Sequence, residues 1–361
     1  MLRISAPLLH TLRMLAIGAM ALSLGPLAQG QSEKPTQANG SKKPMNTETP
    51  EATPKPKPKL PTPTYTDVSY GPDVRNVMDV WLASSDKPTP CVMYIHGGGW
   101  LGGDKSTLNA DTLKKLLDAG ISVAAINYRY LKQTIIDTGS KPGEAPIQPR
   151  GAYAEPPVKE PLSDAARALQ FLRHNAAKWN IDPQRVGLTG GSAGACSSLW
   201  LTFHDDLADP NSADPIARES TKPWCAAVEG AQTTLDPVQI LEWTPNSTYG
   251  GHAFGYIWDS SDKTSEIRSF LKDRESVKEW IAEYSPYALA SEGDPAVYLL
   301  YKDGPPARGK EMKDPTHTCN YGAILVEKLD KIGVPYEFVH TGVTEPRFPD
   351  IASYLIYKLK E

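Results

Sequence analysis

The strongest constraint on this chain is an alternation. From residue 64 onward, short apolar runs bounded by turn residues trade places with stretches whose apolar residues recur every three or four positions. Runs at 65–70, 74–82, 91–95, 121–126 and 185–188 read as strands, as do 225–229, 296–301 and 336–340 further on. Leu108, Leu113, Leu116 and Leu117 keep helical spacing up to Gly120, and Ala165, Leu169, Leu172 and Ala176 do so behind a candidate N-cap, Ser163. Residues 195–203, 321–332 (stopped by Gly333) and 351–359 complete the helical set. Strands separated by helices pair in parallel, so the pattern predicts an α/β fold: a mostly parallel sheet with helices on both faces. Between 231 and 290 the rhythm weakens and Trp, Tyr and Gly accumulate. Such a stretch near the C-terminal strand ends predicts a small cap-like insertion, with plain surface padding as the competing reading.

The region before residue 64 has a different composition. Arg3 and Arg13 precede an apolar run, 14–24, and Ala28 and Gly30 supply small residues for cleavage, so 1–30 reads as a secretory signal peptide. The run is shorter than the ~20 apolar residues a membrane span needs. Residues 31–63 hold eight of the chain's 33 prolines and six lysines, with almost no large apolar side chain. That composition cannot offset its own chain entropy and predicts a disordered tether. The expected organisation is therefore signal 1–30, tether 31–63 and one catalytic-sized domain 64–361, secreted or periplasmic.

Setting the two leading segments aside moves the formal charge from −4 for the whole chain to −9 for 64–361. An acidic domain is a poor partner for nucleic acid, and no stable membrane anchor is expected after cleavage. The four cysteines, Cys91, Cys196, Cys225 and Cys319, have no CxxC spacing, so metal and thioredoxin-like readings fail. No metal site is expected from them.

Two motifs carry chemistry. Gly190-Gly191-Ser192-Ala193-Gly194 fits G-x-S-x-G and lies between a strand-like run and a helix-like one, the context in which a sharp turn presents a serine hydroxyl above a sheet edge. Ser192 then stands at a helix N-terminus, where backbone N–H groups favour developing negative charge. His96-Gly97-Gly98-Gly99-Trp100 leaves the end of another buried strand. Its glycines let the backbone approach a substrate closely, and the N–H groups of Gly97, Gly98 and Ala193 are the candidate oxyanion hole. His96 reads as a brace for that loop.

With these motifs the chain resembles the α/β-hydrolase superfamily, and within it the BD-FAE-like carboxylesterases related to feruloyl and acetylxylan esterases. Ile126-Asn127-Tyr128-Arg129 and the segment from Asp164 to Pro183 share in the resemblance, which covers 64 to the C-terminus. It implies an α/β-hydrolase fold and cofactor-free ester hydrolysis through a Ser-His-Asp triad. It places the acid after the strand at 296–301, where Asp303 matches, with Asp314 and Asp294 as weaker alternatives. It places the histidine in a G-x-x-H after the last strand, but Thr341-Gly342-Val343-Thr344-Glu345 puts Glu345 there. Two histidines remain for the base. His317 lies in the loop Asp314-Pro315-Thr316-His317 and has more freedom to reach Ser192, while His340 ends the final strand. The expectation is an exported serine carboxylesterase acting on small or carbohydrate-linked esters through an acyl-enzyme on Ser192. The alternative is a catalytically impaired scaffold of the same fold that binds a ligand.

Overall fold

The computed structural model describes residues 59–131, 153–256, 262 and 264–361. The expected signal peptide and nearly all of the expected tether lie outside the described residues. Eight strands form one sheet in the order β1-β2-β4-β3-β5-β6-β7-β8. They are β1 (Tyr65–Ser69), β2 (Val77–Trp81), β3 (Thr89–Ile95), β4 (Ser122–Ile126), β5 (Ile181–Gly191), β6 (Cys225–Glu229), β7 (Val297–Leu300) and β8 (Tyr336–Val339). β1 and β2 pair antiparallel at one edge, and every pairing from β4 to β8 is parallel. The expected α/β architecture is what the chain forms.

Parallel strands buried on both faces need apolar residues at consecutive positions. Cys91, Met93 and Ile95 of β3 feed one core with Ala124 and Ile126 of β4. The intervening Val92, Val123 and Ala125 feed a second core on the opposite face. The period-2 alternation of a strand thus becomes two cores rather than one wet face and one dry face.

The helices are α1 (Ala110–Asp118), α2 (Lys159–His174), α3 (Ala193–Phe203), α4 (Pro237–Trp243), α5 (Ser265–Asp273), α6 (Lys278–Tyr284), α7 (Pro286–Leu289), α8 (Asn320–Ile332) and α9 (Ile351–Lys360). α1 begins where the Asn109 side chain accepts the Thr112 N–H. Ser163 is not the cap of α2: the helix begins four residues earlier, and Ser163 points to solvent inside it. Pro161 sits in its first turn, where a missing N–H costs nothing, so the helix can start ahead of the sequence signal.

The insertion between β6 and β7 is mostly short helix, α4 to α7 with 3₁₀ turns at Gly251–Phe254 and Arg274–Ser276. Several of its aromatic residues are buried, Trp243, Phe254, Tyr256 and Phe270 among them. All four cysteines are buried and unpaired.

The registers line up one edge of the sheet. Ile95 pairs with Gly190, Gly191 with Glu229, and Glu229 with Leu300. The loops that leave β3, β5, β6 and β7 therefore start side by side, where ligands bind in α/β sheets of this kind.

Candidate active site

Ser192 occupies the turn between β5 and α3 with φ 53° and ψ −123°, a conformation costly for a side chain with a Cβ. The neighbours explain how it is held. A Cβ at Gly194 would lie 2.0 Å from the Ile95 carbonyl oxygen, and one at Gly190 would lie 2.6 Å from the same oxygen. The turn is therefore as tight as two glycines allow, and the Ser192 N–H is tied to the Glu229 carbonyl at 3.0 Å.

His317 is the imidazole that reaches the serine. Its Nε2 lies 3.0 Å from Ser192 Oγ, and its Nδ1 lies 2.9 Å from Asp314 Oδ2. The other Asp314 oxygen accepts the backbone N–H groups of Thr316 and His317, each at 3.2 Å. One short loop thus carries the imidazole and its carboxylate partner together. Burial alone would push the Asp314 carboxyl up, but the hydrogen bond and charge of His317, with the two backbone donors, hold it below the usual carboxylate value. Two contacts anchor the loop around His317. Gln232 Nε2 donates to the Thr316 carbonyl at 2.7 Å, and the Cys319 N–H donates to Asp303 Oδ1 at 2.8 Å.

The acid expected at Asp303 is thereby corrected. Both nitrogens of His317 are already taken, by Ser192 and Asp314, so Asp303 has no imidazole to orient. It fastens the start of α8 instead. Asp294 is further away in function: it accepts from Lys222 Nζ at 3.0 Å and from the Ser291 N–H at 2.7 Å, just ahead of β7. His340 does not reach Ser192 either. Its Nδ1 accepts the Gly342 N–H at 3.0 Å, and its ring packs on Gly304. Glu345 is exposed.

Gly230 is a site residue that the sequence reading missed. It has φ +59°, and a Cβ there would lie 3.3 Å from His317 Cβ. Its place directly after β6, on the edge that also carries Ser192, was the available signal.

The glycine loop lies against the elbow. A Cβ on Gly97 would stand 2.7 Å from the Gly191 carbonyl oxygen and 3.4 Å from Ser192 Cβ, so the loop backbone passes as close as glycine permits. Ala193 opens α3, where the first N–H groups have no acceptor within the helix. His96 braces the loop as expected: its ring stacks on Tyr128 at 4.1 Å, and Nδ1 lies 2.7 Å from the Gly97 carbonyl oxygen. Burial pushes its pKa down to about 4, with nearby Arg75 acting in the same direction, so the ring is neutral and Nδ1 donates. Trp100 is fully buried and donates its Nε1–H to Ser197 Oγ at 3.0 Å, tying the loop's far end to α3.

A cleft of about 860 Å³ opens onto Ser192 and His317. Glu229, Lys302, Asp303, Lys313 and Asp314 line much of it. Among the described residues no group of His, Cys, Asp and Glu is arranged to hold a metal ion.

Comparison with known proteins places the chain in a family. A probable isoprenylcysteine alpha-carbonyl methylesterase of Oryza sativa is 30% identical over 234 residues, 64% of this chain and 46% of that protein. The "Probable carboxylic ester hydrolase LipM" of Mycobacterium tuberculosis is 29% identical over 150 residues, 40% of this chain and 30% of that one. The chain spans less than half the length of these curated relatives. A truncated carbohydrate esterase from gut microbiota shares the fold with a TM-score of 0.57 at 17% identity, over 82% of this chain and 96% of that one. The BD-FAE family profile matches residues 78–138 and 154–304, from β2 through the elbow and the insertion to the loop after β7. The chain belongs to the BD-FAE family.

Proposed function

We propose that the protein is an exported serine carboxylesterase. The observation that carries the reading is the relay Ser192 Oγ–His317 Nε2 at 3.0 Å and His317 Nδ1–Asp314 Oδ2 at 2.9 Å, seated beside the N-terminus of α3. His317 takes the Ser192 proton as Oγ attacks the ester carbonyl. The N–H groups of Gly97, Gly98 and Ala193 receive the oxyanion, and Asp314 stabilises the imidazolium. His317 then protonates the departing alcohol, and the same steps with water release the acid. No cofactor enters the sequence.

Lys302, Lys313 and the carboxylates of the cleft can hydrogen-bond a hydrophilic alcohol, which supports small or carbohydrate-linked esters as substrates. Export rests on Arg3, Arg13, the apolar run 14–24 and the small residues Ala28 and Gly30. The competing picture, a ligand-binding scaffold, drew its force from the missing histidine after β8. An imidazole within hydrogen-bond distance of Ser192 removes that motive.

The test is hydrolysis of 4-nitrophenyl acetate by the purified protein beside Ser192→Ala. The variant is expected to lose at least ~10³-fold in kcat, and a fluorophosphonate should label the unaltered protein alone. Equal rates for the two proteins, with no labelling, overturn the proposal.

A further inference from the structure

Another cavity, of about 310 Å³, is walled in part by the glycine loop. Its walls include Gly99, Leu101, Tyr249, His252 and Thr316. Gly99 follows the oxyanion glycines directly, and Thr316 precedes His317, so the cavity adjoins the reacting centre.

His252 is the unusual member. It belongs to the 3₁₀ turn Gly251–Phe254 of the insertion, and its side chain is only 7% exposed. Glu266, equally buried, orients it: Glu266 Oε1 lies 3.0 Å from Nδ1 and accepts the His252 backbone N–H at 2.8 Å. That contact turns Nε2 the opposite way, toward the glycine loop, 3.5 Å from where a Cβ on Gly99 would sit. Nε2 is buried and has no hydrogen-bond partner. The Tyr249 ring stands edge-on to the imidazole at 4.7 Å, and its hydroxyl is also buried without a partner. Trp100 lies 6.0 Å away on another side.

The catalytic relay uses none of these groups. A buried nitrogen or hydroxyl without a partner is destabilising, and one beside an active site calls for a ligand to complete it. The chemistry of that ligand follows from the imidazole. Neutral, with its proton on Nδ1, His252 offers a lone pair at Nε2; protonated, it offers an N–H. An ammonium group suits only the first state and a carboxylate only the second. A hydroxyl suits both, and the Tyr249 oxygen has the same dual capacity. Tyr249 and Leu101 supply the aromatic and apolar surface that packs on the C–H face of a polyol ring.

We propose that this cavity is a subsite for a neutral hydroxyl-bearing part of the substrate, a sugar or polyol, which hydrogen-bonds to His252 Nε2. The assignment rests on the esterase reading for its role in turnover, but sugar binding can be measured without turnover. Titration with methyl β-xylopyranoside, followed by tryptophan fluorescence, is expected to saturate. His252→Phe should weaken binding at least about tenfold, the contribution of one hydrogen bond. Should that variant not fold, His252→Asn, whose side chain is too short to reach the same point, should show the same loss. Absence of saturable binding, or an unchanged Kd in the folded variant, overturns the subsite. Hydrolysis of 4-nitrophenyl acetate, measured alongside, separates the two proposals. Ester turnover without sugar binding removes the subsite and keeps the esterase, whereas sugar binding lost in the His252 variant without ester turnover does the reverse.

Discussion

Replacing Asp314 by Asn removes one negative charge from the catalytic loop and keeps an oxygen of similar shape beside His317. The carboxylate oxygen lies 2.9 Å from Nδ1, and the pair is open to solvent on one side, with Asp314 58% and His317 42% exposed. Surface pairs feel an effective dielectric between ~20 and ~80; a value of ~40 at this separation gives about 3 kcal/mol of attraction between carboxylate and imidazolium. That attraction operates once His317 has taken the serine proton, so it belongs to the transition state. At ~1.4 kcal/mol per decade, Asp314→Asn should lower kcat about 100-fold with KM within a few-fold. The loss is well short of the ~10⁴-fold cost of replacing a fully buried triad acid. Raising salt to ~1 M should slow the unaltered enzyme more than the variant, since the exposed pair is screened. Asp303→Asn is the control, because an amide oxygen can still accept the Cys319 N–H. Its kcat should fall less than about fivefold, a neutral hydrogen bond at a distance from the reacting atoms. Steady-state hydrolysis of 4-nitrophenyl acetate compares the three proteins. A larger loss for Asp303→Asn than for Asp314→Asn, or full activity in Asp314→Asn, refutes the assignment of the acid.

Gly230→Ala puts a Cβ 3.3 Å from His317 Cβ at φ +59°; it should cost about 1 kcal/mol in denaturant unfolding and lower kcat by about tenfold through a displaced imidazole. His96, pushed down to about 4 in the folded protein from an ordinary value of 6.5, gives a pH-dependent stability. The unfolded chain binds the proton first, so stability is complete above pH ~6.5 and falls by about 3 kcal/mol toward pH ~4. Thermal unfolding from pH 7 to pH 4 should show a shallower decline in His96→Gln. With all four cysteines buried and unpaired, a reductant should leave Tm unchanged, and a drop would mean that a disulfide forms.

The parts of the fold that were legible in the sequence are those whose signals are local. β3 and β4 are continuous apolar runs because both of their faces are covered, and the elbow is legible because its glycines 190 and 194 stand within five residues as a motif, although the backbone they make room for includes Ile95 of β3. The boundary of α2 was misplaced because a proline in a first turn carries no penalty there, and no local rule reports that Ser163 has helix on both sides. His317 was reachable by reasoning on loops, since a residue free of the ladder can be carried to the elbow.

The acid was harder to place because the decisive fact concerns two loops at once. Asp303 stands directly after β7, where a carboxylate faces the sheet edge, yet its oxygen is drawn to the first backbone N–H of α8. That bond fixes the end of the segment 304–318, and Gln232 fixes Thr316 from the insertion side. With both anchors set, a three-residue spacing is enough to fold Asp314 back onto the imidazole it precedes. Orientation of the base is thus a local turn property once the loop is held, and it needs nothing from the strand end at His340. This is why Glu345 can occupy the expected histidine position and remain exposed without emptying the site: one loop carries both the imidazole and its carboxylate partner, and Asp303 holds the end of that loop.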